Sequence, residues 1–500
     1  MKNTFLLYSV FAFLAGSMIT SCRKKDGEQI PTIIKFSPES GKAGDVITIE
    51  GTNFRSAVSG NVVKFNNTTA EVTEASATII KAKVPAGATS GKITVTTASK
   101  TAVSTKDFTV LQPPAITGFS PGSGLVGQEV TITGTNFSAS PSANEIRFNG
   151  VLVTEIVTAS AVQLKVKVPA GATTGKIKVK VNGTETESTG IFQVKKVVTY
   201  VAGYETVGGF SKALYWKDKT KHYLPQDGYQ SSEAYDVFID GAGDVYICGW
   251  VLKSGSTKRA CYWKNGTLVL LEPLNATGYS EAKSIYVTNN IVHCSGYYNG
   301  SGHWGSYWKT GVPRVDLVNS AADEFGHGLY ASGTEALITD GYQGYWKIDG
   351  AVKSYTKLTN SANANTLSVE KNGSDIVVAG KDDGKACFWK NAAKTDFGVA
   401  NSYVNDVLLS GTDIYCEGFA FPFGYTWKNN ASEVMIVSPP AAVQSECLGI
   451  NRANGLVYIA GRMSTGVGVH GFIYVNNQYI LLESDISSSY VRGGIGLKIE

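Results

Sequence analysis

The second half of the chain is built on a pattern that returns seven times between Val197 and Glu500. Each copy has an extended apolar run that ends in glycine and then, after a variable interval, an aromatic residue. The glycines are Gly203, Gly249, Gly296, Gly341, Gly380, Gly418 and Gly461, and the aromatic residues are Trp216, Trp263, Trp308, Trp346, Trp389, Trp427 and Tyr474. Successive copies lie 38 to 47 residues apart, which is typical of a four-stranded propeller blade and not of a helical repeat.

The second copy shows how four strands fit into one repeat. Its candidate strands, which we label a to d, are Tyr235–Ile239, Val245–Cys248, Cys261–Lys264 and Leu268–Leu271. The pair Asn265-Gly266 separates the last two strands, and Asn-Gly between apolar runs is a strong hairpin signal because both residues accept positive φ. Each copy is therefore expected to form one antiparallel sheet.

The two ends of the repeat region complement each other. The first copy, Thr199–Leu224, has strands b, c and d without a preceding strand a, whereas the chain ends in a lone strand over Gly493–Ile499. An open array would leave two unpaired sheet edges, which favour aggregation. The sequence therefore predicts an all-β chain whose residues 196–500 form a seven-bladed β-propeller closed by the C-terminal strand.

The first residues have the features of an exported protein. Lys2 precedes the apolar stretch Phe5–Ala15, which is too short to span a membrane and is typical of a signal peptide. The segment Ile19-Thr20-Ser21-Cys22 resembles the lipobox of bacterial lipoproteins. The resemblance implies a signal peptide over residues 1–21, acylation of Cys22, a tether over residues 22–30 and anchoring in the outer membrane, facing the cell surface.

Between the tether and the seven-fold repeat, a second repeat has a period of about 83 residues. Phe36-Ser37-Pro38 returns as Phe119-Ser120-Pro121, and the run Gly44–Phe54 returns as Gly127–Phe137. Alternating apolar and polar residues between Gly, Pro and Asn turns predict half-buried strands. The two copies are therefore expected to be two β-sandwiches.

Both copies contain a Gly-x-x-(Ile/Val)-x-Ile-x-Gly-x-Asn-Phe run, with Ile47 in the first and Val130 in the second, and through it they resemble the IPT/TIG family of immunoglobulin-like domains. The resemblance covers residues 31–112 and 113–195. In surface lipoproteins such domains usually serve as spacers, which implies that they hold the distal domain away from the membrane.

Charge and motif content exclude several functions. A formal net charge of +4 over 500 residues provides no basic field for nucleic acid. The chain has no zinc-binding histidine pair, nucleophile elbow or phosphate loop, so we predict no catalytic residues, metal or cofactor. Carboxylates from different blades can still meet at the axis of a propeller, which leaves an enzyme acting on polysaccharide as an alternative.

Six cysteines follow Cys22. Cys248 and Cys261 flank the b–c connection of one copy, and in an exported chain they are the best candidates for a disulfide. Cys294 and Cys387 repeat these positions without a partner, which favours small buried residues instead. The sequence leaves the two alternatives open.

Aromatic residues that recur at one place in every copy are expected to pack the blades, because the repeat itself demands them. The interval from glycine to aromatic residue varies instead, and variable b–c loops on one face often form a binding face. The candidate ligand contacts on that face are Trp250, Tyr297, Tyr298, His303, Trp304, Phe421 and Phe423.

Taken together, these features predict a lipid-anchored envelope protein that binds a glycan and has no catalytic activity. A polysaccharide lyase or glycosidase and a protein-binding propeller in an envelope assembly remain the alternatives.

Overall fold

The computed structural model describes residues 29–272, 278–300, 303–318, 327–429, 431–437, 442–465, 468–476, 478–482 and 489–500. The predicted signal peptide and Cys22 lie outside the described residues. The chain forms two compact units, of which the second comprises Ser123–Gln128 and Val194–Glu500. Within the described ranges the regular structure is β-strand apart from two short 3₁₀ turns, Val58–Gly60 and Pro141–Ala143, and no helix has the length and hydropathy to cross a membrane.

Residues 32–110 form a β-sandwich of two sheets, ordered β1-β3-β7-β6 and β2-β9-β8-β4-β5, in which β2 and β9 pair in parallel and the other strand pairs are antiparallel. The strands are β1 Thr32–Ser37, β2 Ser40–Gly41, β3 Val46–Thr52, β4 Asn61–Phe65, β5 Thr68–Ala70, β6 Val72–Ala75, β7 Ile79–Lys83, β8 Gly91–Thr97 and β9 Lys100–Val110. Alternate residues of facing strands, such as Ile47, Ile49, Phe65 and Phe108, fill one core between the sheets.

A second sandwich repeats the same strand orders, β10-β12-β16-β15 and β11-β18-β17-β13-β14. Its strands are β10 Ala115–Ser120, β11 Ser123–Leu125, β12 Glu129–Thr135, β13 Asn144–Phe148, β14 Val151–Leu152, β15 Ile156–Ala159, β16 Gln163–Lys167, β17 Gly175–Val181 and β18 Thr184–Lys195. Phe148 and Phe192 are buried and meet edge to face at 5.0 Å.

The shared Gly-x-Asn-Phe motif has a steric cause in both sandwiches. A Cβ atom on Gly51 would lie 1.9 Å from the Thr32 carbonyl oxygen, and one on Gly134 would lie 2.0 Å from that of Ala115. In each copy the ring of the following phenylalanine also packs over the glycine. Glycine is therefore needed where the first strand and this ring approach the backbone.

The second unit contains seven four-stranded antiparallel sheets, which we number 1 to 7. Sheets 1 to 3 consist of β46 Ser489–Ile499, β19 Val197–Val207, β20 Phe210–Lys217 and β21 Thr220–Tyr223; β22 Ser231–Ile239, β23 Val245–Leu252, β24 Lys258–Lys264 and β25 Thr267–Leu270; and β26 Tyr279–Thr288, β27 Ile291–Asn299, β28 His303–Lys309 and β29 Val312–Leu317.

Sheets 4 to 7 follow the same order of strands a to d. They consist of β30 Leu329–Ser332, β31 Glu335–Thr339, β32 Gly344–Asp349 and β33 Val352–Lys357; β34 Asn365–Asn372, β35 Asp375–Asp382, β36 Lys385–Lys390 and β37 Ala393–Ala400; β38 Ser402–Ser410, β39 Asp413–Ala420, β40 Phe423–Lys428 and β41 Ala431–Val437; and β42 Gln444–Ala453, β43 Leu456–Thr465, β44 Gly468–Val475 and β45 Gln478–Leu481.

The C-terminal strand completes the sheet that begins after the second sandwich. β46 pairs antiparallel with β19 from Val197 opposite Ile499 to Glu205 opposite Ser489. The first strand of each sheet also contacts the first strand of the next, through β22, β26, β30, β34, β38 and β42, and both β22 and β42 contact β46. The series of contacts between sheets is therefore closed.

The repeated glycine is explained by a bulge in strand a. In sheets 2, 3, 5, 6 and 7 the register between strands a and b shifts by one residue opposite the glycine. The bulge brings a carbonyl oxygen of strand a against the glycine. A Cβ atom on Gly249 would lie 1.9 Å from the Glu233 carbonyl oxygen, and one on Gly418 would lie 2.1 Å from the Tyr403 carbonyl oxygen. The repeat therefore depends on the missing side chain.

In sheet 4 the predicted position of the repeated glycine, Gly341, is wrong by one residue. Trp346 pairs with Ile338, as Trp263 pairs with Ile247, so Asp340 and not Gly341 occupies the glycine position. β30 begins at Leu329, and the residue that would lie opposite Asp340 is outside the described residues. A side chain is tolerated there, and its carboxylate accepts hydrogen bonds from the amides of Tyr342 and Gly344 at 2.8 and 3.0 Å.

The repeated aromatic residues of strand c are buried in all seven sheets, with exposed fractions of 0 to 8%. This confirms that they pack the sheets and do not face a ligand. The six cysteines in the described part of the chain are free and buried. Cys261 lies opposite Gly249, one residue beyond Cys248, so the two thiols point to opposite faces of sheet 2, and a disulfide between them is excluded.

Candidate functional site

One cavity of about 420 Å³ lies among the first strands of all seven sheets. The bulges described above determine which side chains enter it. The unpaired residue of each bulge lines the cavity, and in sheet 4 His327, two residues before the start of β30, takes this place. These residues, which we call the mouth level, are Tyr235, Lys283, His327, Leu367, Asn405, Leu448 and Arg492.

Tyr235 is the centre of a charged network at the mouth level. Its hydroxyl lies 3.1 Å from Glu233 Oε2 and 3.3 Å from Glu281 Oε2, and it accepts a hydrogen bond from Trp250 Nε1 at 3.1 Å. Lys283 Nζ lies 3.7 Å from the centroid of the Tyr235 ring. Cations at this distance from a ring are attracted to its face.

Two carboxylates balance the cations of this network. Glu281 pairs with Lys283 at 2.6 Å and with Lys258 at 2.5 Å, and Glu233 pairs with Arg492 at 3.4 Å. Burial raises the pKa of Glu281, but the attraction of Lys283 and Lys258 outweighs it, so that the pKa is lowered overall. The mouth therefore presents ionised groups that are already oriented by their partners.

The middle level of the cavity is held by two aspartates that join neighbouring sheets. Asp236 Oδ2 accepts hydrogen bonds from Ser284 Oγ at 2.8 Å and from the Ile285 amide at 3.0 Å. Asp406 accepts from Ser368 Oγ at 2.6 Å and from the Ile450 amide at 3.1 Å. Burial raises the pKa of Asp406 to about 6. Both carboxyls serve the packing of adjacent sheets.

The inner level is lined by Phe238, Tyr286, Glu370, Leu408 and Asn451. The ring centroids of Phe238 and Tyr286 are 4.8 Å apart, and Tyr330 lies 5.3 Å beyond Tyr286. The Glu370 carboxyl accepts a hydrogen bond from the amide of Lys371 and, within the described part of the chain, has no side-chain partner. Burial, and then the charge of Asp406, raises the pKa of Glu370 to about 8.

Two of the sequence-predicted contacts are buried. Trp250 is 4% exposed and lies under Lys258, whose Nζ is 4.1 Å from its ring, while Tyr297 is 2% exposed and packs on Tyr279. Tyr298 is partly buried beneath the Arg314 guanidinium, which is 3.4 Å from its ring. Trp250 supports the mouth network through its hydrogen bond to Tyr235, whereas Tyr297 and Tyr298 pack against residues of sheet 3.

The remaining predicted contacts lie at the b–c ends of sheets 3 and 6. His303 and Trp304 begin β28 and pair with Asn299 and Tyr298. Phe421 is 74% exposed in the connection between β39 and β40, and Phe423 is partly buried at the start of β40. None of the seven predicted residues is among the described residues that line the central cavity.

The sequence analysis did not identify the residues that line the cavity, because it assumed that strand residues alternate between the two faces of a sheet and a bulge breaks this alternation. Tyr235 and Asp236 both reach the cavity although they are adjacent, since the unpaired residue interrupts the alternation of strand faces. The b–c intervals were also misread as loops. In sheet 2 much of the interval is strand, and only residues 253–257 connect β23 to β24. Outside sheet 4, the mouth-level residue directly follows the strand a residue that pairs with the repeated glycine, as Tyr235 follows Ala234 opposite Gly249. Aligning the copies at this position of strand a would have identified the mouth level.

In the part of the chain that the structure describes, no group of three or more His, Cys, Asp or Glu side chains is placed to hold a metal ion.

Comparison with known domain families matches the IPT/TIG domain to residues 31–110 and 114–194. These ranges coincide with the two β-sandwiches. The chain contains two IPT/TIG domains. They account for about a third of the protein, and no curated protein matches the chain.

Some solved structures align with a larger part of this chain than the two IPT/TIG domains. A protein of unknown function from Bacteroides thetaiotaomicron has 12% identity and a TM-score of 0.33, covering 78% of this chain and 98% of its own. An auxiliary nutrient binding protein from the same organism has 14% identity and a TM-score of 0.28, with coverages of 77% and 92%. A surface glycan-binding protein from Prevotella bryantii has 18% identity and a TM-score of 0.21, with coverages of 46% and 54%. Such low scores assign neither fold nor function to this chain.

Proposed function

We propose that the protein is a lipid-anchored, cell-surface glycan-binding protein of the outer membrane, in which two IPT/TIG domains act as spacers for a seven-bladed β-propeller. The proposed domains are residues 22–30 for the tether, 31–112 and 113–195 for the spacers, and 196–500 for the propeller. Seven similar sheets, their closed series of contacts and the pairing of β46 with β19 support the propeller.

The mouth of the central cavity is the observation that carries the binding function. Sugars are bound by oriented polar groups that satisfy hydroxyls and by aromatic rings that cover the apolar ring faces. Tyr235, Lys283 and Arg492 line a concave cavity of suitable volume, and the buried carboxylates Glu233 and Glu281 orient these groups from behind the lining. Because the charges are paired, this network offers both donors and acceptors without a strong preference for one ligand charge.

The b–c ends of the sheets extend this site outward. Strand a enters each sheet at the end where strands b and c are connected, so the mouth level and the exposed ring of Phe421 lie toward the same end of the sheets. We assign Phe421, Phe423, His303 and Trp304 to outer contacts with a glycan chain that enters the cavity. Trp250 then supports the inner contacts, while Tyr297 and Tyr298 pack within sheet 3.

Hydrolysis is less well supported than binding. Glycosidases use two carboxyl groups that are both free to act on the substrate. Three carboxyls line the described cavity wall, but Asp236 and Asp406 are occupied by hydrogen bonds to neighbouring sheets. Glu370 alone is available, so the arrangement favours a binding protein.

Titration of intact and enzymatically shortened envelope and plant polysaccharides tests this proposal. Binding of at least one polysaccharide without release of reducing ends or unsaturated products is expected. Turnover would replace the proposal with an enzyme, and binding to no glycan on a broad array would favour a protein partner.

The lipid anchor gives a separate prediction. Cys22→Ala is expected to move the protein from the membrane fraction to the soluble fraction, because acyl chains contribute about 0.8 kcal/mol per buried CH₂. Cell fractionation with a Ser21→Ala control measures the effect. Equal membrane partition of Cys22→Ala and wild type would contradict the anchor.

A further inference from the structure

The inner level of the central cavity differs from its mouth in charge. The basic residues that line the cavity, Lys283 and Arg492, belong to the mouth, where Glu281 and Glu233 already pair with them. His327 is also at the mouth, and burial lowers its pKa to about 4, which leaves it uncharged at neutral pH. Among the described lining residues, the inner level therefore has a carboxyl group and no cation.

Glu370 occupies a position that four other sheets fill with bulky apolar or aromatic side chains, while sheet 7 has Asn451 there and sheet 1 has Gly496. The equivalent residues are Phe238, Tyr286, Tyr330 and Leu408 in sheets 2, 3, 4 and 6. Packing therefore gives no reason for a carboxyl group at this place. A polar group that lines a cavity and lacks a side-chain partner is suited to a ligand.

The aromatic side chains beside Glu370 narrow the class of ligand. Phe238 and Tyr286 line the same level and contact each other. Aromatic rings combined with one carboxylate are the usual surroundings of a bound ammonium group, which gains from the ring quadrupoles and from the opposite charge. A uronate or sulfate group would instead meet the carboxyls of Glu370 and Asp406, and a neutral hydroxyl would form a hydrogen bond with Glu370 but no ion pair.

We infer that the inner level of the cavity is a subsite for an amino sugar, in which Glu370 pairs with the protonated amino group and the rings of Phe238 and Tyr286 line the same level. The inference rests on the proposed glycan-binding function and names its ligand class. Glu370 is the specificity-determining residue of this subsite.

Binding of an ammonium ligand at this subsite is expected to release a proton from Glu370. The titratable groups that face Glu370 are Asp406 on β38, Asp236 on β22 and Tyr286 on β26. None supplies a positive charge, so Glu370 keeps its proton at neutral pH in the free protein, in line with its pKa of about 8. An ammonium ligand stabilises the carboxylate, and the carboxyl proton then passes to the buffer. Neutral sugars have no such effect.

Calorimetric titration at pH 7 with D-glucosamine, N-acetyl-D-glucosamine, D-glucose and D-glucuronate tests the inference. Repeating each titration in buffers of different ionisation enthalpy gives the number of protons released. We expect glucosamine to bind at least tenfold more tightly than the other three sugars and to release between half a proton and one proton.

Two variants separate the subsite from general effects of charge. Glu370→Gln keeps the side-chain volume and is expected to abolish both the preference for glucosamine and the proton release. Asp396→Asn removes a carboxylate on β37 whose side chain is 46% exposed, and it is expected to change neither.

The outcomes distinguish this inference from the proposed function. Binding of array glycans without a preference for glucosamine overturns the amino-sugar subsite and leaves the glycan-binding function intact. Binding of glucosamine with proton release, but of no array glycan, supports the subsite and overturns the wider function. Glucosamine binding that is unchanged in Glu370→Gln also overturns the subsite.

Discussion

Removal of residues 490–500 is expected to abolish the cooperative folding of the second compact unit. The deletion takes away the strand that pairs with β19 along nearly its whole length, and with it the buried side chains of Val491 and Ile495. Each lost hydrogen bond contributes about 1 kcal/mol and each buried aliphatic side chain about 1.5–3 kcal/mol. The sum is comparable to the total stability of a typical domain, roughly 5–15 kcal/mol.

Tryptophan fluorescence during denaturation reports on this unit selectively, because all eight tryptophans lie between Trp216 and Trp427. The truncated protein is expected to lack a cooperative transition, and a synthetic peptide of residues 489–500 added in trans is expected to restore part of it. Lys498→Ala, on the same strand but partly exposed, is the control and should unfold like wild type. A truncated protein with the wild-type midpoint would show that the strand is not required.

Replacing Glu417 is expected to increase stability at neutral and alkaline pH. Glu417 is fully buried in β39, and neither carboxyl oxygen has a hydrogen-bond partner among the described residues. The equivalent residue before the glycine position is small in every other sheet: Ala202, Cys248, Ser295, Thr339, Ala379 and Ala460. The carboxyl group therefore occupies a place where the repeat otherwise has small, uncharged residues.

The pH dependence of this effect has a defined sign. Burial, and then the charges of Asp406 and Glu446, raises the pKa of Glu417 well above its ordinary value in the folded protein. Between the unfolded-state and folded-state pKa values the folded protein holds the proton that the unfolded chain has lost. Stability therefore falls as the pH rises from about 4.5, by on the order of 1 kcal/mol per pH unit until the folded-state pKa is reached.

Glu417→Gln keeps the volume and cannot ionise, so its free energy of unfolding is expected to exceed that of wild type by a few kcal/mol at pH 8 and to match it near pH 4. Denaturant titrations at several pH values, followed by tryptophan fluorescence, measure the difference. Glu205→Gln is the contrasting control, since Glu205 is equally buried but pairs with Lys221 at 3.0 Å, and its loss should destabilise. Parallel pH profiles for wild type and Glu417→Gln would contradict the assignment of Glu417 as an unpaired buried acid.

The parts of the fold that could be predicted from the sequence are those in which the same packing or steric requirement recurs in every copy of a repeat. The strand c tryptophans and the IPT/TIG glycines recur because each sheet or sandwich buries the same ring or approaches the same carbonyl. Single departures were harder to recognise. In sheet 4 the glycine position was assigned to Gly341, one residue too late, because the residue at that position is Asp340 and a neighbouring glycine gave a false match to the repeat.

The candidate site could be predicted only in part, because its residues come from seven segments that are distant in sequence. Lys283, Glu370 and Arg492 meet at one cavity only after the sheets have packed, and no spacing in the chain indicates that they meet. The aromatic side chains chosen from the b–c intervals were visible as departures from the repeat. Burial of Trp250 and Tyr297 depends on cross-strand neighbours such as Lys258 and Tyr279, which a single sequence does not reveal.

The most direct measurement of the central claim is a calorimetric titration of the tightest-binding glycan into wild type, Arg492→Met and Phe421→Ala. Arg492 lines the mouth of the cavity and Phe421 is exposed at the b–c end, so each variant is expected to lose at least about 1 kcal/mol of binding free energy. Phe421→Ala is expected to keep the wild-type unfolding midpoint, whereas Arg492→Met leaves Glu233 without its partner and is expected to lower it, so affinity is compared well below both midpoints. Val352→Ala, which removes a similarly exposed apolar side chain from the start of β33 in sheet 4, is the control and should bind normally. Wild-type affinity in Arg492→Met and Phe421→Ala would contradict glycan binding at the central cavity.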